Sequence, residues 1–269
     1  MLRLADIEET VKKISDVIAS VMNMEIIICD NHLRKIGDSN KNWESECLNI
    51  TKHSILTKII NAGKHLVIKT RNENKGCMIC LHKNKCNLKA LIGTPIQYND
   101  TILGSIGILA DTEENKKILL EKEKYILDFI NKMADLIISK LLEKEATDKL
   151  KIMKKRLLSI MDSIDDGIIA LDEKGYIIYM NSHIKEFIDL FSMDLRKQNI
   201  MDLIPKVYIK EMIQDGRSFR NRELNIRKEE MDLQMIVSGK IIKHKDRSIG
   251  SILTFKKMSD IYNVVMMYR

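Results

Sequence analysis

The sequence predicts an α+β protein of two domains, each an antiparallel sheet with flanking helices, with one long helix connecting them. Three observations point there. Short apolar runs bounded by turn residues fall into two groups, Met24 to Leu109 and Ile168 to Lys256. Between the groups, Glu113 to Ile164 keeps a helical spacing of apolar residues with no Gly or Pro to stop it. At 269 residues the chain is long for one compact core and comfortable for two.

A first helix is expected from Leu4 to Met22, with Ile7, Val11, Ile14, Val17, Ile18 and Val21 at helical spacing. Met24–Asp30 reads as a strand, Asp30-Asn31 as its turn, and His32–Ile36 as the answering strand. A helix over Ser54–Asn61 ends at Gly63, a good C-cap. His65–Lys69 is a third strand, and a polar loop bearing cysteines runs from Arg71 to Leu88. The pattern then gives a hairpin, Ala90–Tyr98 and Thr101–Leu109 about the turn Asn99-Asp100. The helix over 113–164 carries Ile126, Ile130, Met133, Ile137 and Leu141, then Leu150, Met153, Leu157, Ile160 and Ile164. Steps of three and four are coiled-coil spacing. One small domain cannot bury so long a stripe, so the remainder is expected to meet a second copy, making the protein a homodimer. After Asp165-Asp166-Gly167, strands are expected at Ile168–Asp172 and Tyr176–Met180 about the turn Glu173–Gly175. Helical pieces follow at Ser182–Phe191 and Ile200–Ile204, then strands at Arg222–Arg227, Glu230–Lys243 and Ser248–Lys256, the last two joined by a turn at Lys245–Ser248. Met258–Arg269 resumes a helical pattern, the start of an exit helix.

Composition narrows the function classes. Hydrophobic residues make up 45% and charged residues 31%, ordinary for a soluble globular protein. No apolar run is long enough for a membrane span, and the charged start argues against a signal peptide. The expected location is the cytoplasm. The net charge of +7 comes from lysine interleaved with glutamate. With no helix-turn-helix pattern and few aromatics among the basic residues, direct nucleic-acid binding is not expected. No Ser/His/Asp arrangement stands out, so no catalytic residue is assigned. Glu113-Glu114 and Asp165-Asp166 read as helix-end and turn carboxylates, and His183 as a surface histidine. The interior of the second domain, with Ile169, Leu171, Ile178, Phe187 and Ile188, reads as a packed core and, secondarily, as a pocket for a small molecule.

The five cysteines carry the most chemistry. Cys77, Cys80 and Cys86 form a C-x2-C-x5-C array in one polar loop. Thiolates at this spacing can reach a single metal ion when the loop curls over it. Three ligands leave one vacancy, for which Cys47 is the candidate and His82 the nearer alternative. Cys29 lies mid-strand between apolar residues and reads as core. An iron–sulfur cluster is preferred, because its state changes with oxygen or redox poise. Zinc accepts the same ligands and would staple the loop, and spacing does not separate the two. A redox thiol switch and idle reduced thiols are the other readings; a disulfide is disfavoured in the cytoplasm. Lys75, Lys83, Lys85 and Lys89 flank the array and would offset thiolate charge or simply solvate the surface.

Ser163–Ser182 resembles the opening of a PAS domain, by the Asp166-Gly167 before one strand, the Gly175 turn and Asn181 after the second strand. Gly250–Ile261 resembles the last PAS strand running into an exit helix. Residues 160–260 are thus expected to be a PAS domain. Residues 1–145 resemble a GAF domain through Ile92-Gly-Thr-Pro-Ile96 and Ile102-Leu-Gly-Ser-Ile-Gly-Ile108. The combination is similar to the amino-terminal half of clostridial-type sigma-54-dependent transcriptional activators. That resemblance implies a sensory role in transcription regulation, with AAA+ ATPase and DNA-binding domains elsewhere in the full-length protein. No phosphate-loop motif occurs in this chain, so no ATPase is expected in it, and the stop at Arg269 is read as a cut at that junction. GAF and PAS modules are also shared by the input halves of sensor histidine kinases and diguanylate cyclases. A structural zinc-bearing dimerisation module with no sensing is the third reading.

Overall fold

The computed structural model describes residues 2–39, 54–73, 75–78, 86–184, 195, 197–228 and 231–258. The chain divides into two compact units, Met1–Leu150 and Lys151–Arg269.

In the first unit a 3-10 turn, Leu4–Ile7, leads into α1 (Glu8–Met22). Strands β1 (Glu25–Asp30) and β2 (Lys35–Asp38) form a hairpin. Helix α2 (Ile55–Ala62) is capped by Ser54, whose Oγ accepts from the Thr57 amide, and it closes on Gly63 in the left-handed region, φ 61°. After β3 (Leu66–Ile68) come a 3-10 turn, Arg71–Glu73, and the single-turn α3 (Lys75–Met78). Strands β4 (Ala90–Tyr98) and β5 (Thr101–Ala110) follow, then α4 (Glu113–Glu121) and α5 (Glu123–Asp162). The sheet is antiparallel in the order β2-β1-β5-β4-β3.

The second unit repeats this plan. Strands β6 (Gly167–Leu171) and β7 (Ile177–Met180) open it, short helices α6 (Ile200–Leu203) and α7 (Val207–Asp215) intervene, and β8 (Phe219–Lys228), β9 (Met231–His244) and β10 (Arg247–Lys257) complete the sheet. Its order, β7-β6-β10-β9-β8, is the first sheet's order strand for strand. The likeness reaches the turns. Asp30 closes β1 with Oδ1 accepting from the amides of His32 and Arg34, at 2.9 and 2.8 Å. Asp172, just after β6, accepts from the amides of Lys174 and Tyr176 at 2.9 and 2.8 Å. An aspartate at this point holds the turn by bonding its own backbone two and four residues on. Lys245 and Asp246, both at positive φ, make the two-residue turn between β9 and β10.

Strand alternation gives each sheet two faces. In the first unit, Ile26, Ile28, Ala90, Ile92, Ile106 and Ile108 lie in one apolar cluster with α1 and the first part of α5. Ile27, Cys29, Leu91 and Leu109 turn the other way, into a second cluster with Leu56 and Ile59 of α2. Glycines let α2 sit close: a Cβ on Gly93 would stand 2.5 Å from Ile59 Cδ1, and one on Gly107 3.2 Å from Leu56 Cδ2. Thr94, buried on the α5 side, donates to Asn131 Oδ1 at 2.7 Å and ties that helix to β4.

Three expectations need correction. The helix read over 113–164 is two helices, because Lys122 leaves the helical region with φ −105° and ψ 23°; a single lysine of good helix propensity gives periodicity nothing to register. At its far end α5 stops at Asp162, so Ile164 lies beyond it. Ile178 is 62% exposed rather than lining the core. A register shift in the β6–β7 pair sets Ile177 opposite Leu171 and turns Ile177 inward instead. Val17 and Val21 point outward from α1, while Ser15 is buried and donates to the Lys12 carbonyl at 2.7 Å. The expected helix ending at Phe191, Phe187 and Ile188 within it, and the exit helix after Met258 lie outside the described residues.

Cys29 is core, as its apolar surroundings predict. Its thiol is fully buried, 3.2 Å from Ser105 Oγ. Burial pushes it up to about 11 from an ordinary 9.0, with the Ser105 hydrogen bond opposing. The fold therefore holds the neutral thiol more firmly than the unfolded chain does. That contribution is complete below pH 9 and is lost as pH rises towards 11. It amounts to on the order of 2 kcal/mol. Urea unfolding across this window should show wild type losing that much more stability than Cys29→Ala; parallel curves would contradict the burial account.

Candidate functional site

The cysteine-bearing segment follows β3, and its described part lies over the α2 side of the first sheet. Cys77, on α3, and Cys86 are half-buried and pack against the apolar cluster that holds Cys29, Leu56, Ile59 and Leu88. The Arg71 guanidinium donates to the Cys86 carbonyl at 3.0 Å, tying the far end of the segment back to its start. Two of the four expected ligands are thus brought to one cluster. Cys80, Cys47 and the alternative His82 lie outside the described residues, as do Trp43, Lys83 and Lys85. Among the described residues, no group of three or more His, Cys, Asp or Glu side chains is arranged to hold a metal ion. The donors that are described, two thiols at the edge of an apolar patch, fit thiolate ligation chemically. Cys29 differs in kind, since its buried thiol is held protonated.

The second arrangement joins α5 to the second sheet. Asn181, fully buried just after β7, uses its whole amide. Its Oδ1 accepts from the amides of Ile168 at 2.9 Å and Ile184 at 3.1 Å. Its Nδ2 donates to the carbonyls of Met161 at 3.1 Å and Asp166 at 2.9 Å. One side chain thereby binds the last turn of α5, the following turn, the start of β6 and the segment after β7. Next to it, Asp162 Oδ1 accepts from the Ser182 amide at 3.1 Å and the Tyr179 hydroxyl at 3.3 Å. Lys256 on β10 reaches Asp166 at 3.2 Å. Sequence reading marked Asn181 without giving it a task; the signal was a lone asparagine ending a strand pair, and its partners lie up to 20 residues away.

Helix α5 changes character along its length. Ile126, Ile130, Ala134, Ile137 and Leu141 are buried in the first unit's core. Leu150, Met153, Leu157 and Ile160 keep the three-and-four spacing but are 58–67% exposed. From Lys149 to Met161 there are five basic residues and no acidic one. No helix among the described residues is long and apolar enough to cross a membrane.

Comparison with known proteins fits this geometry. The PAS fold family matches residues 155–258. A putative uric acid sigma-54-dependent transcriptional regulator of Escherichia coli K12, UacR, is 22% identical over 179 residues, 66% of this chain and 30% of that protein. The sensor protein CitS of Halalkalibacterium halodurans is 26% identical over 105 residues, 38% of this chain and 19% of that protein. The chain thus spans less than a third of the length of either relative. A chain in the crystal structure of the E. coli DhaR(N)–DhaL complex superposes with a TM-score of 0.57 at 14% identity, over 95% of this chain and 90% of that one. That likeness is one of fold. Residues 155–258 of this chain thus match the PAS fold, and a PAS domain is present in the second unit.

Proposed function

We propose that this chain is the sensory input region of a longer, sigma-54-dependent transcriptional regulator, acting in the cytoplasm and without enzymatic activity of its own. The observation that carries this is the extent of the UacR alignment: 179 residues is more than the PAS match spans, so the relationship reaches beyond the PAS domain. An ATPase and a DNA-binding domain would lie elsewhere in the full-length protein. The CitS relationship supports a second reading, the input part of a sensor protein of another output class.

In the proposed mechanism the first unit, read as GAF-like, senses redox state or a small molecule through a metal centre. Cys77, Cys80, Cys86 and Cys47 would hold it, with His82 as the alternative fourth ligand. An iron–sulfur cluster would supply a redox-dependent charge; zinc would only brace the segment. With that site filled or empty, the Cys77–Cys86 segment would rest differently on the α2 face of the sheet, and α5, tied to β4 through Thr94 and Asn131, would carry the change towards the Asn181 joint. Two copies pair through the exposed stripe of α5. In a parallel pair, Lys149 and Arg156 border one side of the stripe and Lys154 the other. Like charges then face each other across the seam, which makes the pairing weak and open to regulation.

Two measurements test this. Protein purified without oxygen should be brown, with broad absorption near ~400 nm from thiolate-bound iron, and Cys77→Ser should bleach it. A colourless protein with bound zinc would remove the redox reading, and metal retained by Cys77→Ser would show that the ligand set is wrong. In sedimentation, the dimer should tighten as salt screens the basic flanks, and Leu157→Glu with Ile160→Glu should yield monomers of unchanged helix content. A chain that is monomeric throughout, or a dimer indifferent to both changes, would contradict pairing through α5.

A further inference from the structure

Among the described side chains, one buried nitrogen or oxygen has no hydrogen-bond partner: the hydroxyl of Tyr208. Native structures leave few such atoms, because desolvating a hydroxyl without pairing it opposes folding. Tyr208 stands in the first turn of α7. Its ring lies against Phe219 with centroids 4.8 Å apart and planes inclined at 58°. Phe219 begins β8 opposite Gly239, where the absence of a side chain makes room: a Cβ there would stand 2.4 Å from the Phe219 ring and 2.5 Å from Met212 Sδ. Phe219 and Met212 therefore form an apolar wall over Gly239, next to the Tyr208 ring.

A positive charge stands at the rim of this wall. Leu224 is buried in the second unit's core with Met235 and Val237. Arg222, two residues earlier on the same strand and opposite Val237, lies on the same face of β8. It is nevertheless exposed, and among the described residues it forms no ion pair. Val237 and Gly239 share one face of β9, so their partners Arg222 and Phe219 share a face of β8, and Arg222 neighbours the ring against which Tyr208 lies. Burial raises the Tyr208 phenol above its ordinary range, with the charge of Arg222 opposing.

We propose that Tyr208 and Arg222 bind a small organic carboxylate whose apolar body rests against Phe219 and Met212. The hydroxyl donates to one carboxylate oxygen and the guanidinium pairs with the anion, a charge-assisted arrangement that satisfies both groups at once. The ligand gives the PAS domain a chemical input separate from the cysteine segment. It deepens the sensory reading and rests on that reading only for its purpose, since binding can be measured without any output.

The test uses the full chain with benzoate and phenylacetate as probes and benzyl alcohol as the uncharged control. Calorimetry should find both carboxylates bound, the alcohol at least ~10-fold weaker, and either Tyr208→Phe or Arg222→Gln weakening the carboxylates by ~10-fold or more. Without ligand, Tyr208→Phe should unfold at the same temperature as wild type or higher, because the atom removed has no partner to lose. Three results would overturn the proposal: neither carboxylate binding to wild type, binding unchanged in both variants, or a lower unfolding temperature for ligand-free Tyr208→Phe, which would give the hydroxyl a structural partner such as a fixed water. None of these bears on the cysteine segment, and failure of the metal test leaves this site standing.

Discussion

Asn181 has four hydrogen-bonding positions on its amide, and each is filled by a different stretch of backbone. That saturation is the constraint on which the rest of the account depends. A buried amide is tolerated only when its groups are paired, so any shift of the last turn of α5 relative to β6 or to the segment after β7 leaves at least one group unmet. The joint therefore resists gradual slippage. Asp162 reinforces it from the helix side, and the Lys256–Asp166 pair extends it to β10, the central strand of the sheet.

Seen from this joint, α5 is a helix of two halves with different solvents. Its first half is bound by apolar packing and by one polar tie, Thr94 to Asn131. Its second half is exposed, basic and regularly spaced. A helix that only braced the first unit would have no reason to carry large apolar side chains past Leu141 into water, since each forgoes roughly 1.5–3 kcal/mol of burial. The exposed stripe is the surface that the proposed pairing of two copies would cover.

Much of this was legible in the chain itself, because turn chemistry is local. Asn99, Gly175 and the Lys245-Asp246 pair punctuate the strands, Asp30 and Asp172 bond their own backbones, and Gly63 ends a helix where its conformational freedom is used. Cys29 was legible as core from its apolar neighbours. What resisted reading was either a single-residue departure or a long-range encounter. Lys122 breaks a helix without any breaker residue, and a register shift exchanges Ile178 for Ile177. Asn181 meets backbone as far back as Met161, and Tyr208 meets Phe219 only through packing. The cysteine segment falls between these cases: spacing singled out Cys77, Cys80 and Cys86 together, and the fold brings Cys77 and Cys86 to one cluster.

The joint at Asn181 can be tested without knowing the signal. Deuterium exchange of the full chain should show Asn181→Ala opening the amides of Ile168, Ile184 and the last turn of α5 by about 10-fold or more, while Ile126 to Leu141 keep their protection. Unchanged exchange around Met161 and Ile168 would mean that the helix is fastened to the PAS domain by something else, and the relay would lose its physical basis.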